Sequence, residues 1–285
     1  MSGGRLLVTD SVTLCGDHVD GAVVVVAGSF AGALSFGFVL PRGPRGLIAH
    51  DAGVGLDGAG ISGLPLADRC GVPAAAVATM SARLGDGRSV LEDGVLSHVN
   101  GRAAALGLRP GLRAADAARR LLAAPPGRPA PRVSVDRGAR VVLDTPGGRV
   151  VLLASTSFAG AGHARDVIVV GSHGGRVNAR PLLALRPRGV VANDGGMARD
   201  GSGADGLPRL DEAGIAAATV AAATARIGDP ESTWQTGVLS AVNEAAARLG
   251  AAPGQAAREA ARLILTATAD RAPGPRRAPW PRTRP

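Results

Sequence analysis

Lysine and tyrosine are absent from this 285-residue chain, and aromatic residues make up only 2% of it. Without lysine there is no side-chain amine for Schiff-base chemistry. With so few rings there is little on which nucleic-acid bases would stack. Cysteine is nearly absent too. Cys15 and Cys70 give no disulfide framework and read as free thiols of a protein in a reducing cytoplasm. No apolar run approaches the ~20 residues that span a bilayer, so no membrane association is expected. The opening MSGGRLLVTD lacks the apolar core of a signal peptide. No GxSxG elbow, HExxH or CxxC occurs.

What the chain does carry is arginine. The net charge is +9 and every basic side chain counted in it is arginine. Part of the excess falls in the Pro/Arg-rich stretch Arg271–Pro285, which composition marks as a disordered tail. Arginine is the better bidentate partner for carboxylate, sulfate or phosphate. An Ala/Gly/Pro/Arg bias also follows from a GC-rich genome with no functional cause. A nucleic-acid partner is disfavoured by the lack of rings; a small anionic substrate is the expectation, and a homo-oligomer stays open.

The strongest signal is that the chain contains itself twice. Gly28–Leu122 aligns without a gap onto Gly171–Leu265, at a constant offset of 143 (171 minus 28), with nearly half of the positions identical. The unit is too long for a solenoid repeat, so the reading is two fused homologous modules related like subunits of a two-fold dimer. The expected divisions are 1–123 for the first repeat, 124–132 for a Pro-rich linker, 133–270 for the second repeat and 271–285 for the tail.

Each half reads as strand, helix, strand, helix, strand, helix. Strands are expected at Arg5–Thr9, Val23–Ala27, Gly46–Ala49 and Ala74–Thr79, with partners at Arg149–Ala154, Val167–Val170, Gly189–Ala192 and Ala216–Ala221. Gly-rich loops follow at Ala52–Gly60 and Gly195–Gly203. Two helices close each half, about Ser89–Leu106 and Ala114–Ala123, then Ser232–Leu249 and Gln255–Thr266. The pattern argues for an α/β fold with mainly parallel sheets.

Every repeated polar motif falls just after a predicted strand, where open α/β sheets bind ligands. Gly171-Ser172-His173-Gly174-Gly175 is a small-residue loop able to cradle an oxyanion, with His173 as acid or base; it is equally readable as a tight turn. It is neither a Walker loop nor GxGxxG. The first copy has Ser29 with Phe30 in place of His173. His50-Asp51 and Asn193-Asp194 end a strand, and both aspartates are shared. They suit a general base, or a carboxylate that caps the next loop. Asp57 and Asp200 read as caps, and His50, Asp51 and Asp57 do not form a specific metal spacing, so no metal is expected. Ser81 with Arg83 and Thr224 with Arg226 can grip an anion; the competing reading pairs Arg83 with Asp86 and Arg226 with Asp229. Asp10 adds a carboxylate after the first strand only, as general base or turn former.

The strings GSHGG (Gly171–Gly175), NDGG (Asn193–Gly196), TARIGD (Thr224–Asp229) and S-x-x-x-x-G-V-L-S-x-V-N (Ser232–Asn243) resemble a family of bacterial duplicated proteins in which they read GSHGG, NDAG and SARIGD. The chain is also similar to the two-component aziridine-forming proteins of azinomycin-type antibiotic biosynthesis. That resemblance implies a cofactor-independent lyase or cyclase in which an amine displaces a neighbouring sulfate within one substrate. Asp10 or Asp51 would take the proton and His50 or His173 would assist. Arg83, Arg226 and the Gly-Ser loops would stabilise the departing charge. The rivals are an amide or ester hydrolase using Ser29 or Ser172, a non-catalytic metabolite- or anion-binding protein, and a nucleic-acid binder acting through the tail.

Overall fold

The computed structural model describes residues 4–130 and 133–267. The expected tail at Arg271–Pro285, the end of the second repeat at 268–270 and the last two linker residues lie outside the described residues.

The first module is built from β1 (Arg5–Thr9), β2 (Val23–Phe30), α1 (Ala33–Val39), β3 (Gly46–His50), α2 (Gly63–Arg69), β4 (Ala74–Val77), α3 (Gly87–Glu92), β5 (Leu96–Val99), α4 (Gly101–Ala105) and α5 (Ala114–Leu122). The second contains β6 (Arg140–Thr145), β7 (Gly148–Leu153), β8 (Val167–His173), α6 (Arg176–Leu185), β9 (Gly189–Asn193), α7 (Leu207–Glu212), β10 (Ala216–Val220), α8 (Pro230–Thr236), β11 (Leu239–Val242), α9 (Glu244–Ala247) and α10 (Ala257–Ala267).

Each module is one sheet with helices on both faces. In the first the strand order is β1-β2-β3-β4-β5, parallel except for β5. In the second it is β11-β10-β9-β8-β7-β6, with β11 and β6 antiparallel to their neighbours. Alternate residues of the β-branched runs serve opposite layers. Val23, Val25 and Leu47 pack with Phe36, Val39 and Leu64 of α1 and α2. Val24, Val26 and Ile48 pack with Val90, Ala117 and Leu121 of α3 and α5. Burial on both faces is why these strands read as continuous apolar runs. The second module repeats the arrangement, with α6 and α7 on one face and α9 and α10 on the other. The expected α/β architecture with two mainly parallel sheets is thus present.

Two features differ from the sequence expectation. The helices expected over Ser89–Leu106 and Ser232–Leu249 are each broken by an antiparallel strand, β5 and β11. Gly94 and Gly237 stop the preceding helix, and the Val-Leu-Ser-x-Val pattern extends. Asn100 and Asn243 then cap the next short helix by accepting from the N–H groups of Ala103 and Ala246 (both 2.9 Å). Helices α2 and α7 stand where the alternation calls for the middle helix of each half. β6 was not expected. It forms a hairpin with β7, and the first module has no counterpart to it.

The modules meet along reciprocal contacts that repeat at the offset of 143. Leu56 donates its N–H to the Ala222 carbonyl (2.8 Å), and Arg199 donates to the Thr79 carbonyl (3.2 Å). At the centre Gly53 and Gly196 lie backbone to backbone, both with left-handed φ (+73° and +70°). Added Cβ atoms would sit 3.1 and 2.9 Å from the opposing Cα. Phe30, Ala52, Ala59 and Leu84 pack there against Ala198 and Ile227.

Candidate functional site

The carboxyl ends of the parallel strands of both sheets converge on this junction, and the sequence-singled residues are best considered as pairs. His50 ends β3 and Asn193 ends β9. His50 Nε2 donates to the Ala82 carbonyl and Nδ1 accepts from the Ala52 N–H (both 3.0 Å). Asn193 makes the same two bonds, to the Ala225 carbonyl (3.0 Å) and from the Gly195 N–H (2.9 Å). The imidazole and the carboxamide are therefore interchangeable cross-links between a strand end and the Ala-Arg turn. Burial pushes the His50 pKa down, although the Ala82 bond and the Asp51 charge oppose this. An Nδ1 that accepts an N–H has a further reason to stay unprotonated.

His173 ends β8. Its Nδ1 accepts from the Gly175 N–H (3.2 Å), and its ring lies where a Cβ on Gly85 would touch it. Phe30 occupies the matching place against Gly228. Burial, followed by the proximity of His50, lowers the His173 pKa to about 3, so the ring is neutral near pH 7.

The hydroxyls occupy structural positions. Ser29 Oγ accepts from the Val12 N–H (3.0 Å) and Ser172 Oγ from the Thr156 N–H (3.3 Å). Among the described residues neither is bonded to a histidine. Ser81 and Thr224 each donate to a carbonyl three residues earlier and accept from Val95 or Val238 (2.7 to 3.0 Å), tying the turn to β5 or β11. Asp10 accepts from the Gly87 N–H at the start of α3 (3.1 Å). The second module has Pro230 in place of Gly87, with no N–H, and the strand register puts Ala154 in place of Asp10. Donor and acceptor have disappeared together.

The arginines act across the junction. Arg83 pairs with Asp200 (3.0 Å) and Asp205 (2.8 Å) of the other module, not with Asp86, which caps α3. Arg226 pairs with Asp57 across the junction (3.0 Å) and with Asp229 nearby (3.1 Å). These carboxylates raise the Arg226 pKa still further, Asp57 foremost. Asp205 and Thr79 went unremarked in the sequence. Asp205 faces Ser62 in the alignment and does the same work, since Ser62 Oγ and Asp205 Oδ1 accept from Ala33 and Arg176 N–H (3.0 and 2.8 Å).

Asp51 and Asp194 remain, both 4% exposed. Asp51 Oδ1 accepts from the Gly53 N–H (3.0 Å) and the Thr79 hydroxyl. Asp194 Oδ1 accepts from the Gly196 and Ala222 N–H groups (both 2.9 Å), and among the described residues no donor reaches Oδ2 of either aspartate. Asp194 lines a cavity of about 560 Å³ with Gly55, Leu56, Asp57 and Ala222. The loops that frame it carry left-handed non-glycine residues: Ala52, Val54, Asp57, Met197, Ala198 and Asp200. Val54, at φ +62°, is the costliest, being β-branched. Such strain gathers at functional sites when the surrounding structure over-determines it.

A larger cavity, about 640 Å³, lies between Leu34 of α1, residues Val133–Asp136 ahead of β6 and the start of α8. Its charged groups already serve one another. Arg140 pairs with Glu231 (2.6 Å), Asp229 caps α8 by accepting from the Ser232 N–H (3.1 Å), and Asp136 accepts from the Gly138 N–H (2.8 Å). The Asp194 cavity is therefore the stronger candidate. As for metals, His50 and Asp57 are committed to backbone groups and to Arg226, and among the described residues no cluster of three His, Cys, Asp or Glu side chains suits a metal ion. Both cysteines are free; burial pushes the Cys15 thiol up to about 11. Among the described residues no helix is long and apolar enough to cross a membrane.

No family model matches the chain, and no curated protein or solved structure matches it significantly.

Proposed function

We propose that the protein is a small-molecule enzyme working by acid/base chemistry at the junction of its modules, with Asp194 as the proton acceptor. One observation carries this reading. Asp194 is a buried carboxylate held by two backbone N–H groups, its other oxygen has no donor among the described residues, and it lines a cavity at the strand ends. A carboxylate held in this way is aimed before substrate arrives.

The reaction that the resemblance implies suits such a group. A substrate amine loses a proton to Asp194 Oδ2. Its lone pair forms the new N–C bond as the neighbouring C–O bond breaks, and that electron pair leaves with the sulfate, closing an aziridine. Arg226, bonded to Asp57 on the cavity wall, supplies positive charge near the departing anion. No redox change occurs, so no redox cofactor is required. The setting that fits is natural-product biosynthesis in the cytoplasm.

The test is sulfate release from a panel of vicinal amino sulfate esters, beginning with 2-aminoethyl hydrogen sulfate. Release by the native protein, lost in Asp194→Asn, supports the reading; no release from any member by the native protein refutes it. A second reading, binding without turnover, is favoured by how many polar groups here are already bonded to backbone. It predicts a bound ester recovered intact.

A further inference from the structure

We infer that the duplicated chain has one ligand site, not two, and that this site takes a compact organic cation at Asp194. The inference rests on the reading of the Asp194 cavity above and deepens it by naming the site's number and the charge it binds.

The module pair creates two equivalent places, one on each side of the Gly53–Gly196 contact. The first joins Asp194 and Ala222 of the second module to Gly55, Leu56 and Asp57 of the first, and it is the open cavity. Shifting each residue by 143 gives Asp51 and Thr79 joined to Ala198, Arg199 and Asp200. Both carboxylates persist and three neighbours gain bulk. Thr79, in the place of Ala222, sets its hydroxyl on Asp51 Oδ1 and accepts from the Gly53 N–H (2.5 Å). Ala198, in the place of Gly55, buries its methyl in the cluster with Phe30 and Leu84. Arg199, in the place of Leu56, reaches Asp93 (3.2 Å) and the Ser81 carbonyl (3.4 Å). The twin place thus carries bulkier side chains, and its carboxylate takes the Thr79 hydroxyl where Asp194 takes the Ala222 N–H.

Among the described residues both aspartates keep an Oδ2 without a donor, and that of Asp194 belongs to a cavity walled by Ala, Gly, Val and Leu. Asp57, the second carboxylate there, is balanced by Arg226. A small protonated amine that enters the cavity would complete the hydrogen bonding of the Asp194 carboxylate by donating to Oδ2. An anion alone would meet Asp194 unfavourably.

The experiment is an amide chemical-shift titration of the full chain with ethylammonium chloride, against sodium chloride at equal ionic strength. The inference expects saturable shifts at Gly53–Asp57 and Ala221–Ala223, with none at Ala78–Met80. It expects at least tenfold weaker binding in Ala222→Thr, a side chain that the twin position already holds. Should that variant fail to fold, Ala222→Ser serves with the same expectation. The pair Thr79→Ala with Arg199→Leu should open the twin and bring shifts to Ala78–Met80. Absence of any shift, equal shifts at both places in the native protein, or unchanged binding in the folded variant would each overturn the inference. Binding at Asp194 without sulfate release would leave it standing while defeating the reaction proposed above.

Discussion

The two modules differ in two ways that look alike in an alignment and mean opposite things. His50 against Asn193 is a large chemical change with no structural consequence. Both side chains donate to the carbonyl of the Ala-Arg turn and accept from the N–H two residues on. His173 against Phe30 is similar, one flat ring for another beneath a glycine. Thr79 against Ala222 is a small change in a telling place, since it sets a hydroxyl on Asp51 where Asp194 has a backbone N–H and lines a cavity. Differences that preserve a contact belong to the scaffold. Differences that remove atoms from beside a carboxylate that lines a cavity mark the site.

The comparison is tested hardest at its axis. Gly196→Ala places a Cβ 2.9 Å from the Gly53 Cα at φ +70°, with backbone on the far side and no flexible side chain to yield. It should cost about 3 kcal/mol or more by denaturant unfolding. Gly201→Ala, at φ +67° with open space, should cost only about 1 kcal/mol. Equal costs would mean that the modules do not rest on this contact.

Next comes the cross-link. His50→Ala strands a buried carbonyl and a buried N–H, at roughly 1–3 kcal/mol each. His50→Asn should restore both bonds and stay within about 1 kcal/mol of the native protein. If Asn were no better than Ala, the two residues would not be equivalent.

The pH dependence has a definite sign. The folded pKa values of His50 and His173 lie below the usual 6.5, that of His173 at about 3. Above pH 6.5 both are neutral folded or unfolded, and the stability they contribute is fully present. As pH falls from 6.5 towards 3 the unfolded chain binds protons that the folded chain refuses. Stability then drops by up to about 1.4 kcal/mol per pH unit through His173, and His50 adds a loss of the same sign below pH 6.5. The double variant His50→Asn with His173→Phe, each residue taken from the other module, should flatten that slope in unfolding melts.

The smallest effects belong to the arginines. Arg83→Met should cost about 1 kcal/mol and Arg226→Met less, because Arg226 is the more exposed and screened. The gap should shrink in high salt.

Much of this was legible in the sequence. The repeat, the parallel strands and the loops at their ends follow from β-branched runs and from the offset of 143. β5 and β11 were hidden inside Ala-rich stretches whose local preference is helical, and only pairing with β4 and β10 makes them strands. Of the candidate site residues, Asp194 and Asp51 could be named but not told apart, because the sequence aligns them as equals. Their distinction depends on Thr79 and Ala222 within each module and on Leu56 and Arg199 across the junction, and only the docked structure shows that these lie beside the carboxylates. Arg83 and Arg226 were read as anion grips or turn locks. Their long reach to Asp200, Asp205 and Asp57 is a property of docking.

The account stands on Asp194 and Asp51 having different work, and sulfate release from a turned-over amino sulfate ester by Asp194→Asn and Asp51→Asn measures that most directly. The prediction is a loss of at least a hundredfold in kcat for Asp194→Asn, with the fold intact, and kcat within about threefold of native for Asp51→Asn, whose defect should show only in stability. Equal losses in the two variants, or the larger loss at Asp51, would contradict it.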